Sequence, residues 1–273
     1  MNSVKRTSVR KILALYDERM QSADRAVFCL QVGANDGKTN DPLFEYFSSK
    51  KWHGLLVEPL PDVFEQLKQS YRGKTNVALA NVGVAPSNGT LPFYRIRISN
   101  ARWATGLSSF ERETLVKHFE NGYIQRHAQM DEITPPTTFD EAVEELPIPT
   151  STISSLLSQQ KVDKVDLICI DTEGFDLEII KLIDFNALEP DMIVFERKHL
   201  TPEKLAEADQ LLANNGYQVL IDGNNSVALR SDFDLISLED ARRLGNPWYV
   251  RAWNRAVRIY KKRVRRARDV WEF

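Results

Sequence analysis

The chain has 273 residues, 42% hydrophobic and 27% charged, as expected of a soluble globular protein with a sizeable core. No stretch approaches the roughly 20 apolar residues of a membrane span, and no signal-peptide segment opens the chain, so a cytoplasmic protein is expected. The formal charge of −2 hides an asymmetry: residues 251–273 hold nine Arg or Lys against two acids, +7, leaving −9 on residues 1–250.

In chain order, Val9, Ile12, Leu13, Tyr16 and Met20 recur at helical spacing and predict an amphipathic helix packed on the domain, with a lid over a pocket as the alternative. Ala26 to Val32 reads as a buried strand running into Gly33-Ala34-Asn35-Asp36-Gly37. Asp41-Pro42 then has the form of a helix N-cap followed by proline. A second strand is predicted from Gly54 to Glu58, a helix from Pro61, and a third strand from Val77 to Val84. Ser87-Asn88-Gly89-Thr90 reads as a hairpin turn into Leu91-Pro92-Phe93-Tyr94.

Between residues 97 and 149 the alternation of strands and helices lapses. An insertion here is the natural place for substrate-recognising structure, since loops on a rigid scaffold carry specificity. Its most site-like piece is Thr105-Gly106-Leu107-Ser108-Ser109, and it holds His118 and His127. Alternation resumes with a strand from Val165 to Ile170 ending in Asp171-Thr172-Glu173-Gly174, a helix, and a strand from Met192 to Phe195 ending in Glu196-Arg197-Lys198-His199. Thr201-Pro202 opens a further helix. Tyr217–Ile221 and Ser226–Leu229 read as a closing antiparallel hairpin.

Continuous apolar strands alternating with helices predict an α/β fold, a mostly parallel sheet covered on both faces. Cys29 and Cys169 each fall in a predicted buried strand, where free thiols are expected. Ligands in such sheets bind beyond the carboxyl ends of the strands, where the polar clusters after Val32, Val57, Ile170 and Phe195 converge.

Gly33 and Gly37 form G-x-x-x-G, which is neither the G-x-G-x-x-G of a dinucleotide fold nor a phosphate-binding loop. An acid at the end of the next strand, Glu58, is placed to accept hydrogen bonds from a ribose diol. Gln31-Val32-Gly33-Ala34-Asn35-Asp36-Gly37, Val57-Glu58-Pro59 and the run from Val165 to Gly174 together resemble the FkbM family of S-adenosylmethionine-dependent methyltransferases. The resemblance covers about Phe28 to Glu196. It departs from the usual pattern at Gln31, where members carry an acid.

The resemblance implies a Rossmann-like class I methyltransferase fold, a seven-stranded sheet with an antiparallel closing hairpin. It also implies methylation of a hydroxyl on a glycan, lipid-linked saccharide or secondary metabolite. By position, Gly33, Ala34, Asn35, Asp36 and Gly37 would line the methionine portion of the cofactor, Glu58 its ribose, and Asn81 and Val82 its adenine. Gln31 would replace an acidic contact to the amino group. Asp171 and Glu173 would face the reactive methyl.

Methyl transfer to an oxygen needs a group that takes the acceptor's proton. The candidates are Asp171, Glu173, Glu196 and His199, the last with an unperturbed pKa near neutrality. Asp171, Glu173 and Glu196 could instead gather a divalent cation such as Mg²⁺. The acids flanking Thr172 also suit a cap for a helix starting at Gly174. Two other functions fit these residues: a metal-dependent hydrolase using Asp171, Glu173 and Glu196, and a decayed protein that binds the cofactor without turning it over.

Trp253, Val257, Tyr260, Val264, Ala267 and Trp271 alternate four and three residues apart among basic side chains, predicting a basic amphipathic helix over 251–273. Its expected role is docking on the domain, on a second subunit, or on an anionic membrane surface, which would place the protein at the inner face of the membrane. Nucleic acid is not an expected partner, because residues 1–250 are acidic and no nucleic-acid module is recognisable. If the surface is a membrane, a chain ending at Asn246 no longer sediments with anionic vesicles; unchanged sedimentation rejects that role.

Overall fold

Strands buried on both faces must satisfy their backbone groups sideways, and here they do so in one sheet. In the computed structural model, which describes residues 8–49, 51–236 and 240, the chain-ordered strands are β1 (Val27–Val32), β2 (Trp52–Val57), β3 (Val77–Ala80), β4 (Gly83–Val84), β5 (Gly89–Ile96) and β6 (Ser108–Ser109). They continue as β7 (Val143–Ser151), β8 (Leu167–Ile170), β9 (Met192–Glu196), β10 (Tyr217–Asp222) and β11 (Asn225–Arg230). Seven of them form one sheet in the order β10-β11-β9-β8-β1-β2-β3. Neighbours from β9 to β3 are parallel, and β11 runs antiparallel to both β9 and β10.

Side chains alternate between two cores, as the period of a strand requires. Cys29, Leu56, Leu167, Cys169, Met192 and Val194 face one cluster with Trp52 and Phe47. Leu30, Val32, Leu55, Ile168, Ile170, Ile193 and Phe195 face the other, against Leu156, Leu177, Ile180 and Leu212. Both cysteines are buried free thiols.

The N-terminal helix, Ser8–Ser22, lies in the first of these clusters with Val9, Ile12, Leu13, Tyr16 and Met20 all inside. Its backbone N–H at Val9 donates to Asp222, and Tyr16 Oη donates to the fully buried Asp191 carboxylate at 3.0 Å. It is a structural layer of the sheet and not a lid.

The predicted third strand, Val77 to Val84, is two strands. The chain leaves the main sheet after Ala80, and Gly83–Val84 joins a second sheet of order β4-β7-β5-β6. Nor does Ser87–Thr90 close a hairpin. β4 pairs in parallel with Thr150 and Ser151, and β5 pairs antiparallel with the same β7 along its whole length. The partner that decides the geometry lies some sixty residues away, out of reach of local turn chemistry.

Residues 83–151 thus form an ordered layer with four short helices, Arg102–Thr105, Arg112–Glu120, Tyr123–Met130 and Phe139–Ala142, around Ile96, Leu107, Leu115, Ile124 and Val143. Arg95 fixes this layer to the Pro61–Ser70 helix through two parallel hydrogen bonds to Asp62, 2.7 and 2.9 Å. The predicted helix over 251–273 lies outside the described residues. No helix among the described residues is long and apolar enough to cross a membrane.

Tyr16→Phe removes a donor from a buried carboxylate and leaves the ring packing in place. The expected loss is roughly 1–3 kcal/mol of stability in urea unfolding.

Candidate active site

The chain reverses its direction of sheet growth at β1: β2 and β3 are added on one side, β8 and β9 on the other. A crevice opens at the carboxyl ends of the strands at such a switch point. The space within and immediately in front of it amounts to about 570 Å³.

The turn after β1 forms its floor. Gly33 has φ +80°, and a Cβ there would lie 1.9 Å from the Asp171 carbonyl oxygen, so only glycine fits. The amides of Gly33 and Ala34 both donate to Val57 O, and the amide of Asp171 donates to Val32 O. The ends of β2, β1 and β8 are thereby laced together.

Glu58, 4% exposed, holds the next layer. Its Oε2 accepts the Asn35 N–H and its Oε1 the Leu60 N–H, both at 2.9 Å. Burial pushes its pKa up to about 7, against those two hydrogen bonds. Asn35 (φ +51°) also donates its side-chain amide to Thr105 O at 3.2 Å, so one residue touches the acid of β2 and the 83–151 layer.

Of the predicted residues, Gly33, Asn35, Glu58, Val82, Asp171 and Glu173 line the crevice. The others stand behind it. Gln31 points the opposite way and donates to Asp41 at 3.0 Å, leaving its own buried oxygen without a hydrogen bond. Ala34 packs in the core, and Asp36 accepts the Lys38 and Thr39 amides. Gly37 (φ +64°) serves packing: a Cβ there would meet Leu67 at 2.3 Å and Tyr71 at 2.6 Å. Asn81 donates to the carbonyls of Glu58 and Pro59 and braces the loop that carries the acid.

Several lining residues were not foreseen. Phe93, Phe110 and Phe175 make an aromatic wall, with Phe110 edge-on to Phe93 at 4.8 Å and tilted against Phe175 at 5.3 Å. Arg102 and Ser108 come from the 83–151 layer. Only Gly106 and Ser108, in the Thr105–Ser109 stretch, gave any local signal.

After β8 the structure departs from the predicted cap. The helix is Asp176–Lys181 and neither Asp171 nor Glu173 caps it. Asp176 organises the loop instead. Fully buried, it accepts the Thr172 hydroxyl and the Gly174 amide on one oxygen and the Glu196 amide on the other. Burial, and then the charge of Asp171, pushes its pKa up to about 8.

That loop brings the remaining candidates together. Glu173, at φ +51°, places Oε2 2.8 Å from His199 Nε2, and Glu196 Oε2 lies 3.6 Å from the same nitrogen. His199 Nδ1 meets His118 Nε2 at 3.3 Å, so the layer holding His118 contacts the end of β9. Burial and the neighbouring His199 and Lys198 charges lower the His118 pKa to about 4, keeping it a neutral imidazole. Asp171 is exposed on the crevice wall; desolvation by the atoms crowded around it and then the Glu173 charge raise it to about 6. Glu196 is raised to about 9 by burial and by Glu173 and Asp171.

A profile of the family described as "Methyltransferase FkbM domain" matches residues 31–219, spanning the glycine turn, Glu58, both acid-bearing strand ends and the start of the closing hairpin. The chain belongs to the FkbM methyltransferase domain family. Its α/β fold is the class I methyltransferase fold. Similar solved structures include an FkbM methyltransferase from Methylobacillus flagellatus KT, 12% identical, covering 75% of this chain and 43% of that one with a TM-score of 0.46. This chain thus spans less than half the length of that protein. A precorrin-6y C5,15-methyltransferase from Geobacter metallireducens GS-15 is 14% identical over 84% and 94% of the two chains, TM-score 0.40. A ribosomal protein L11 methylase from Lactobacillus delbrueckii subsp. bulgaricus is 13% identical over 80% and 77%, TM-score 0.36. No curated protein matches the chain.

The Glu58 environment has a pH signature in this FkbM-family chain. A carboxyl raised from 4.5 to about 7 holds its proton longer in the folded state, so its contribution to stability falls as pH rises through that window. Glu58→Gln loses an acceptor for a backbone amide, at a cost of roughly 1–3 kcal/mol, but carries no charge to bury. Urea unfolding is expected to show a gap between wild type and Glu58→Gln that narrows from pH 5 to pH 8 by at least about 1 kcal/mol, the order of one pKa unit.

Proposed function

We propose that this chain transfers a methyl group from S-adenosylmethionine to a hydroxyl oxygen of a glycan, lipid-linked saccharide or secondary metabolite. The observation that carries the reading is the Asp171 carboxylate exposed in the crevice, which it shares with the glycine turn at Gly33 and the buried acid Glu58. The residues present fit the cofactor. Glu58 spends one lone pair of each oxygen on a backbone amide and keeps others for the ribose hydroxyls. Val82, Pro59 and the phenylalanine wall offer an apolar surface to the adenine. Gly33 leaves room for the methionine portion, and the acids after β8 suit a cationic sulfonium.

When bound, S-adenosylmethionine supplies an electrophilic methyl group. The chain's task is then to hold the acceptor oxygen in line and to take its proton. Positioning contributes up to roughly 7–11 kcal/mol in the best-oriented reactions. Asp171 is the base in this reading: its pKa of about 6 leaves it ionised at neutral pH yet more basic than an ordinary aspartate. Glu173 lines the crevice beside it, with His199 Nε2 2.8 Å from its Oε2 and Glu196 Oε2 3.6 Å from the same nitrogen. The acceptor is expected to rest on the 83–151 layer, whose Arg102 and Ser108 reach the opening.

Calorimetry with S-adenosylhomocysteine tests the cofactor half: binding is expected in wild type and lost in Glu58→Ala, and no binding in wild type would sink the reading. Transfer of labelled methyl to extracted glycans and lipids tests the rest. Asp171→Asn is expected to lower the rate by roughly 10²–10⁴-fold with S-adenosylhomocysteine affinity little changed. Undiminished transfer removes Asp171 as the base.

A further inference from the structure

We propose that Glu173, Glu196 and His199 form a binding site for one divalent first-row transition ion, of the Mn²⁺ or Zn²⁺ type, at the inner wall of the crevice. One ligand atom from each lies within 4.8 Å of the other two. Two independent observations mark the place as built for a ligand.

The first is an orphaned buried imidazole nitrogen. The His199 side chain is 7% exposed, and its Nε2 has carboxylate oxygens at 2.8 and 3.6 Å yet makes a hydrogen bond to neither. The Glu196 oxygen facing it is likewise buried without a hydrogen bond. Buried polar atoms in native proteins nearly always have partners, and each that lacks one calls for an explanation such as an ion. Bond lengths near 2.0–2.2 Å put adjacent ligand atoms of one ion about 3.0–3.4 Å apart, and the two measured separations bracket that span.

The second is the support behind the imidazole. A ligating histidine engages its other ring nitrogen with a neighbour that fixes tautomer and orientation. Here His199 Nδ1 meets His118 Nε2 at 3.3 Å. The loop carrying Glu173 is pressed into place by Gly174 (φ +100°), where a Cβ would come 2.7 Å from Thr114 Oγ1 and 3.4 Å from His199 Cβ. Both Thr114 and His118 belong to the Arg112–Glu120 helix, so the 83–151 layer supports the ligand set.

The donor set selects the ion. One imidazole nitrogen with two carboxylates suits manganese, iron or zinc, whereas magnesium favours oxygen donors and retained waters. Three protein donors leave coordination positions open. Because Glu173 also lines the crevice, those positions give the site a Lewis-acidic point for an acceptor oxygen, which deepens the methyl-transfer reading and rests on it for that role alone.

The test is direct metal binding to the full chain after dialysis against a chelator. MnCl₂ titration followed by the paramagnetic resonance signal of free Mn²⁺ is expected to show one ion per chain, displaced by ZnCl₂ and not by MgCl₂. Glu196→Gln and His199→Ala should each weaken binding more than tenfold, and His118→Ala by about 10–100-fold. Glu196→Gln is nearly isosteric, so it keeps the test decisive if His199→Ala does not fold. No Mn²⁺ binding in wild type, or affinity unchanged in Glu196→Gln, overturns the proposal. S-adenosylhomocysteine calorimetry on the same samples separates the two readings. Nucleoside binding without metal binding rejects the ion site alone, and metal binding without nucleoside binding rejects the methyl-donor reading alone.

Discussion

A Cβ on Gly33 would sit 1.9 Å from the carbonyl oxygen of Asp171. At the point where the sheet changes its direction of growth, two strand ends therefore meet through backbone alone, and the crevice inherits its shape from that contact. Bringing the turn so close lets Gly33 and Ala34 both donate to Val57 O, which sets the end of β2 against the same turn. Glu58 then follows in position to accept the Asn35 amide. A residue with a side chain at position 33 would separate β1 from β8, and with them Glu58 from the acids after β8.

The other half of the crevice is attached at a few polar points. Asn35 reaches Thr105, the Ser109 hydroxyl donates to Thr172 O, and His118 meets His199. Arg95 and Asp62 anchor the layer at its far side. Each crevice-side contact ends on a loop that carries a candidate site residue, so a shift of the 83–151 layer changes the geometry around Asp171 and Glu173. The position of this layer and the arrangement of the acids are thus mechanically linked, in a way the sheet and its glycine turn are not.

Much of this was legible in the chain itself, for a physical reason. Strands buried on both faces write themselves as continuous apolar runs, so Val27–Val32, Leu167–Ile170 and Met192–Glu196 could be placed within a few residues, and with them the polar clusters at their ends. What escaped depended on distant partners. Nothing local says that the run from Val77 to Val84 changes sheets at Asn81, or that Gly89 pairs with Thr150. Asp176 read as one more acid in a helix, although its burial and three hydrogen bonds organise the loop that Asp171 and Glu173 share. His118 lacked meaning until the fold set it against a histidine 81 positions away. Local pattern reports burial; it does not report which buried surface is met.

Asp171, Glu173, Asp176 and Glu196 crowd one end of the sheet, and burial and mutual repulsion push the carboxyls of Asp171, Asp176 and Glu196 upward. Like charges so close cannot all be carried at neutral pH unless positive charge is nearby. His199 stands between two of them with its Nε2 hydrogen-bonded to neither, and the Arg102 charge acts to lower the Asp171 pKa. A site with this excess of acid is stabilised by whatever positive charge enters it. The positive charge of a sulfonium beside Asp171, and that of the divalent ion proposed between Glu173 and Glu196, would each relieve different members of the cluster.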